Sequence, residues 1–268
     1  MAENNVKWNS TDYRKNSSAQ FGWAMELISR IGAKADSVIL DIGCGDGRIT
    51  RELAHVASEG KVVGIDFSGD MIALAKGSFG DVPNLRFEQM DARKIDLPER
   101  FDIAFSNAVL HWIKDQDAFL GSLRKHMAPG GRLHFNCGGK GNAASVYKAA
   151  HAVAQSPKWA EFFPPSAHDP SMMPYAFLDE KEYRTLLERH DFIPVEVRLI
   201  PRDMEQQGRE GLAGWFRTTW MPLTNHVPEA RRDAYISEVM DEFLKHHPLV
   251  NGKAVVGMMR LDVSARVA

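Results

Sequence analysis

Apolar and polar positions along this 268-residue chain fall into short apolar runs separated by longer amphipathic stretches. Phe21, Ala24, Leu27, Ile28 and Ile31 recur at helical spacing, which predicts an amphipathic helix over 18–31. A first strand is predicted over 38–42. Helical spacing returns at Ile49, Leu53, Ala54 and Ala57 and stops at Glu59-Gly60, before a second strand over 61–66. Ser68 is placed to cap a helix carrying Met71, Ile72 and Ala75. Strands follow over 85–89 and 102–105, and the segment 105–112 ends the latter and opens the next helix. A helix over 117–128 is then broken by Pro129-Gly130-Gly131, and a fifth strand runs over 132–137. Strands alternating with helices predict a mostly parallel α/β sheet covered on both faces. Ligands of such sheets bind beyond the carboxyl ends of the strands, so residues just after strands one to four converge on one crevice.

After Cys137 the rhythm breaks. A helix to about 154 leads into an irregular stretch containing Phe162-Phe163-Pro164-Pro165 and Met172-Met173-Pro174-Tyr175. A helix over 179–190 and a strand over 194–200 restore regularity, and an irregular-to-helical insertion occupies 205–247. The last strand is expected over 254–265, with alternation at Val256, Met258, Arg260 and Asp262. The expected organisation is a single domain over 1–268. Its core takes in about 36–139, 178–203 and 252–266, and a helical lid takes in about 1–20, 140–177 and 204–251.

Composition narrows the class. Hydrophobic residues make up 44% and charged residues 25%, as in ordinary globular proteins. Lys and Arg number 33 against 35 Asp and Glu, with no dense basic tract of the kind a nucleic-acid partner requires. The two cysteines, Cys44 and Cys137, make neither a disulfide framework nor a four-thiolate zinc site, and the adjacent pair His246-His247 reads as a solvated helix end. No metal is expected. The opening residues lack an apolar signal core and no uncharged run is long enough to span a bilayer, so the expectation is a cytoplasmic protein without a membrane partner, a monomer or weak homodimer.

The candidate chemistry starts at Asp41-Ile42-Gly43-Cys44-Gly45-Asp46-Gly47, at the end of the first strand. Glycines at alternate positions allow a backbone to approach a bound molecule closely. Asp66 follows Gly47 by 19 residues, near the place where an acid at the end of a second strand reaches a ribose diol. The spacing is not the G-x-G-x-x-G of a dinucleotide site, and carboxylates beside the glycines repel phosphates. A cationic ligand carrying a ribose fits better.

This constellation resembles the class I S-adenosylmethionine-dependent methyltransferases, whose first motif has the form D-x-G-x-G-x-G. The segment Ser106-Asn107-Ala108-Val109-Leu110-His111-Trp112 and a lid pattern Trp215…Trp220-Met221-Pro222, then Val227-Pro228-Glu229, are similar to those of trans-aconitate methyltransferase-like small-molecule enzymes. The resemblance implies a Rossmann-like seven-stranded, mostly parallel sheet whose last strand is antiparallel, with S-adenosyl-L-methionine as cofactor and S-adenosyl-L-homocysteine as product. It implies cofactor contacts from Asp41, Gly43, Cys44, Gly45 and Gly47, from Asp66, Phe67 and Met71, from Asp91 and Ala92 at the adenine, and from Asn107, Ala108 and Trp112 at the methionine portion. Trp8, Tyr13 and Gln20 resemble a lead-in that closes over the cofactor carboxylate.

The lid carries the remaining candidates. Phe163, Met173, Tyr175, Trp215, Phe216, Arg217 and Trp220 are expected to wall a substrate pocket, with Arg217, Arg14 and Lys140 as partners for a substrate carboxylate. The expected reaction is in-line methyl transfer to a small organic acceptor, most simply a carboxylate oxygen, which is ionised near neutral pH and needs no base. Two alternatives stay open. One is a carbon, nitrogen or phenolic-oxygen methyltransferase using His111 as general base; the other is a non-catalytic adenosylmethionine-binding protein.

Overall fold

The computed structural model describes residues 18–164 and 175–268, which fall into two compact units. The first unit holds residues 18–140, 176–200 and 260–268, and is built on a seven-stranded sheet. Its elements in chain order are α1 (Ser18–Ile28), β1 (Val38–Ile42), α2 (Arg48–Val56), β2 (Lys61–Asp66), α3 (Gly69–Phe79), β3 (Leu85–Gln89), β4 (Phe101–Asn107), α4 (Gln116–His126) and β5 (Met127–Gly138). After α5 (Ala144–Ala154), which belongs to the second unit, come α6 (Glu180–Arg189) and β6 (Phe192–Pro201). The second unit, over 141–164, Tyr175 and 201–259, continues with β7 (Met204–Gln207), α7 (Gly208–Thr219), α8 (Met221–Thr224), α9 (Glu229–His246) and β8 (Lys253–Val256); β9 (Met259–Val267) completes the sheet.

Strand order is β3-β2-β1-β4-β5-β9-β6. β1 is parallel to both β2 and β4, β2 to β3 and β4 to β5, while β9 runs antiparallel to β5. The chain winds outward from β1 to β3 and then returns to place β4 on the other side of β1. The crevice therefore opens beyond the carboxyl ends of β1 and β4.

Alternate side chains of each strand enter two different cores, which is why the strands read as continuous apolar runs. Leu40, Ile42, Val63, Leu133 and Phe135 pack against Phe119, Leu120 and Leu123 of α4 and Tyr183 and Leu187 of α6. Ile39, Val62, Ile103 and Phe105 pack against Ala24, Leu27 and Ile28 of α1 and Leu53 and Ala54 of α2. Each such side chain contributes about 1.5–3 kcal/mol when fully buried. Caps fix the helix starts: Ser68 accepts from the Met71 N–H at 3.3 Å, and Asp179 and Glu182 form a reciprocal capping box on α6.

Two sequence expectations change. The strand expected over 254–265 is two strands. β8 pairs antiparallel with β7 in a separate two-stranded sheet, Met204 opposite Val256, and β9 begins after Gly257 and Met258. Alternation continues across the break, so the pattern could not show that the ladder partner changes. The helix expected right after β4 is a single 3₁₀ turn, Leu110–Trp112, held by the Gln116 side-chain amide, whose Nε2 donates to the Leu110 and Ile113 carbonyls at 2.7 and 2.6 Å. The α-helix opens only at Gln116, where Asp115 accepts from the Ala118 N–H. Among the described residues no helix is long and apolar enough to cross a membrane, and no group of three His, Cys, Asp or Glu side chains is placed to hold a metal.

Candidate active site

The bend after β1 folds across the end of β2. The N–H groups of Gly43 and Cys44 donate to the Ile65 carbonyl at 2.8 and 3.0 Å, and the Gly47 N–H donates to the Cys44 carbonyl at 3.1 Å. All three glycines have left-handed backbones, φ +74°, +53° and +80°. Their surroundings differ. A Cβ on Gly43 would lie 2.4 Å from the Val109 methyls, and one on Gly47 would lie 2.7 Å from the Phe87 ring and 3.0 Å from Ala75. A Cβ on Gly45 would meet nothing within 4 Å. The room expected for a bound molecule therefore exists at Gly45, whereas at Gly43 and Gly47 the missing side chain makes room for protein. Cys44 is a small filler between the bend and β2: a Cβ on Gly64 would lie 2.9 Å from the Cys44 Cβ.

Two carboxylates flank the bend. Asp66 accepts from the Gly45 N–H at 3.0 Å through Oδ2 and from the Ser68 N–H at 2.8 Å through Oδ1. Burial pushes its pKa up, and those two hydrogen bonds oppose the shift. Each oxygen keeps a second lone pair for a ligand hydroxyl. Asp41 is 2% exposed, and its Oδ2 accepts from Thr50 Oγ1 at 2.8 Å. Burial raises its pKa to about 7; the Thr50 hydrogen bond lowers it and the Asp66 charge raises it further. Asp46 is occupied by Arg48, 2.7 Å from its guanidinium Nε. Nothing in the sequence pattern singled out Thr50, although a hydroxyl nine residues after a buried acid on the following helix is the signal that finds it.

The other cofactor candidates line the neighbouring strand ends. Phe67, next to Asp66, is 59% exposed, an uncommon setting for a large apolar ring and one open to a stacking partner. Met71 is buried on α3. Asp91 caps the short 3₁₀ turn Ala92–Lys94 and takes the Arg93 N–H and guanidinium on its oxygens at 2.6–3.0 Å, which holds its pKa below the ordinary carboxylate range. Asn107 ends β4 rather than capping a helix. Ala108 sits at φ +59°, a strained setting for a residue with a Cβ, with its N–H donating to the Asn136 carbonyl at 2.8 Å. Ser106 ties the same strand end to the Ile42 carbonyl at 2.8 Å.

His111 lies in the 3₁₀ turn, next to Trp112 and Phe177, each ring centroid 5.7 Å away. Its Nδ1 accepts from the Gly138 N–H at 3.2 Å, which places the neutral ring's proton on Nε2. Burial pushes its pKa down to about 3. The ring at neutral pH is a donor at Nε2, with its lone pair already engaged.

Within the second unit, the lid candidates are packing residues of its interior. Trp220 stacks on Phe216 at 5.7 Å and meets Tyr175 edge-on at 5.4 Å and Trp215 at 6.3 Å, while the Tyr175 hydroxyl donates to the Thr219 carbonyl at 2.6 Å. Phe163 packs elsewhere, on Tyr235 and His226. Arg217 faces Asp233 at 3.2 Å, and in the first unit Lys140 faces Asp179 at 2.9 Å, so two of the three candidate carboxylate partners are held in ion pairs. Trp8, Tyr13, Arg14, the Gln20 side chain and Met173 lie outside the described residues.

Open space at Gly45 beside two carboxylates fits a cationic, hydroxyl-bearing ligand and disfavours a phosphate. The comparisons agree. A family model described as a methyltransferase domain matches residues 33–190. The chain is 32% identical over 264 residues to a trans-aconitate 2-methyltransferase of Variovorax paradoxus, covering 97% of this chain and 98% of that protein. It is 37% identical over 128 residues to one of Deinococcus radiodurans, covering 48% of each. The solved phosphoethanolamine N-methyltransferase 2 of Haemonchus contortus in complex with S-adenosyl-L-methionine shares the fold at a TM-score of 0.60 and 17% identity, over 96% of this chain and 56% of that one. Fold, bend and full-length similarity together place the chain in one family: it belongs to the class I S-adenosylmethionine-dependent methyltransferases.

Proposed function

We propose that this methyltransferase acts on a small organic acid and methylates a carboxylate oxygen by in-line displacement. The observation that carries the reading is the state of His111. A ring whose Nδ1 accepts a backbone N–H, with a pKa near 3, is a poor base for a phenol of pKa about 10. The mismatch of about seven pKa units is roughly 10 kcal/mol uphill at about 1.36 kcal/mol per unit. A carboxylate acceptor is already ionised and requires no proton transfer. An unprotonated amine shares that property; similarity to proteins named trans-aconitate 2-methyltransferase along nearly the whole chain favours the carboxylate.

Bound S-adenosylmethionine supplies an activated methyl group together with its own neutral leaving group. The chain's residues bind and orient. In this reading Asp66 accepts from the ribose hydroxyls, with its own position fixed by the Gly45 and Ser68 N–H groups. Asp91 and Ala92 meet the adenine edge, and Phe67 offers it an exposed ring. Asp41, Asn107 and Ala108 face the methionine end. His111 donates through Nε2–H to an acceptor oxygen and orients it, since alignment supplies much of the acceleration in such a displacement. The test is product analysis after incubation with S-adenosylmethionine and a panel of carboxylic acids, phenols and amines. Alkali-labile methyl esters support the proposal; methylation confined to phenols or amines overturns it.

A further inference from the structure

We propose that Asn136, on β5, is a substrate-binding residue whose amide holds an oxygen of the methyl acceptor. The inference rests on the reading of the reaction given above. Asn136 is 1% exposed, yet among the described residues neither its Nδ2 nor its Oδ1 has a hydrogen-bond partner. A buried amide left unmatched on both atoms is costly and rare, and such groups mark a missing ligand or an ordered water.

Its place in the sheet says which ligand. Asn136 stands in register with Asn107 of β4 on one side and with Asp262 of β9 on the other, so the three side chains share one face. Along the sheet, the proposed contacts run from adenine at the end of β3 (Asp91), through ribose at β2 (Asp66), to the methionine end at β4 (Asn107). The next strand in that order is β5. The nucleophile aligns with the methyl group on the sulfonium, close to Asn107 in this reading, and the Asn136 side chain stands directly beside Asn107 on the same face.

The neighbours of Asn136 are committed elsewhere. The Arg260 and Asp262 side chains are buried and pair with each other at 2.6 Å; Arg30 adds a contact to Asp262 at 3.2 Å, and Glu26 one to Arg260 at 3.3 Å. With the charges matched among themselves, the amide is the group left to serve a substrate. Nδ2 donates to a carboxylate oxygen and Oδ1 accepts from a donor on the acceptor or from a water it carries in.

The experiment compares wild type with Asn136→Leu, similar in volume but without polar atoms, and with Asn136→Asp, which keeps the shape and replaces the donor by charge. The probes are trans-aconitate, or whichever acid of the panel the wild type esterifies, and S-adenosylhomocysteine. Expected is a rise in acceptor KM of tenfold or more for both variants, with the S-adenosylhomocysteine Kd within twofold and the Asn136→Leu melting temperature equal to or above wild type. Unchanged KM with raised stability assigns the amide to a structural water and overturns the proposal. Weakened S-adenosylhomocysteine binding with unchanged KM assigns it to the cofactor and also overturns it. If the wild type methylates phenols or amines only, the carboxylate reading fails, and the KM comparison on that acceptor still decides the role of Asn136.

Discussion

Alanine substitutions at Gly45, Gly47 and Gly130 separate a cofactor seat from an ordinary turn. Gly45 (φ +53°) and Gly130 (φ +72°) both adopt left-handed backbones, and a Cβ on either would meet nothing within 4 Å. For each, alanine brings only backbone strain, roughly 1–2 kcal/mol. At about 2–4 °C per kcal/mol for a protein of this size, both variants should melt some 2–8 °C below wild type. Gly47 adds overlap with Phe87 and Ala75, a further cost of about 1–3 kcal/mol. Its total of about 2–5 kcal/mol predicts a loss of roughly 5–20 °C. Affinity should follow a different order. Measured by calorimetry well below each melting temperature, the Kd for S-adenosylhomocysteine should rise at least tenfold in Gly45→Ala and stay within twofold in Gly130→Ala, the matched control in the irregular first part of β5. If Gly45→Ala binds as tightly as Gly130→Ala, the space in front of Gly45 is not the cofactor's, and the bend is only a turn.

Three further outcomes are expected. Esterification rate should show no inflection from His111 between pH 6 and 9, and His111→Gln should lower kcat less than about tenfold, where loss of a general base costs about 10²–10⁴; a bell-shaped profile abolished by the variant refutes the donor role. The share of the free protein's stability contributed by Asp41 should be lost as pH rises from about 4 to 7, against the gain from His111, whose lowered pKa acts in the opposite sense. Burial raises the pKa of Asp41 from 3.8 to about 7, so its contribution is full below 3.8 and gone above 7. In thermal melts across that range Asp41→Asn should remove this part of the slope, and Thr50→Val should extend it to higher pH by removing the hydrogen bond that holds the pKa down. Arg260→Met should destabilise by about 3 kcal/mol in urea titration, near the low end for an orphaned buried charge because Arg30 still reaches Asp262, and the double variant Arg260→Met/Asp262→Leu should recover most of the loss.

Sequence reasoning succeeded where the signal is local. The turn chemistry of Ser68 and the apolar runs over 38–42 and 61–66 each act within a few residues, and the corresponding elements form there, whereas Pro129-Gly130-Gly131, read as the breaker between a helix and a strand, lies inside β5 at a register shift, with α4 already ending at His126. It failed at 254–265 because strand alternation is blind to which ladder a strand joins: Val256 pairs with β7 and Arg260 with β5, from two different units, across a break of two residues. It treated the three glycines of the bend alike, although a φ of +80° in front of a phenyl ring and one of +53° in front of open space are different requirements.

By itself, the chain's covalent order determined the α/β architecture, the bend, and the placement of Asp41, Asp66, Asp91 and Asn107 at the carboxyl ends of successive strands, because periodicity, turn residues and spacing are encoded within each βα repeat. Tertiary structure alone decided which of those groups are spoken for. Thr50 reaches Asp41, Arg93 covers Asp91, Gly138 occupies the His111 lone pair, and Asp233 and Asp179 hold Arg217 and Lys140. It also left the Asn136 amide unmatched among the described residues. Charge state and hydrogen-bond occupancy depend on atoms that meet only when distant strands and helices pack, and no local pattern records them.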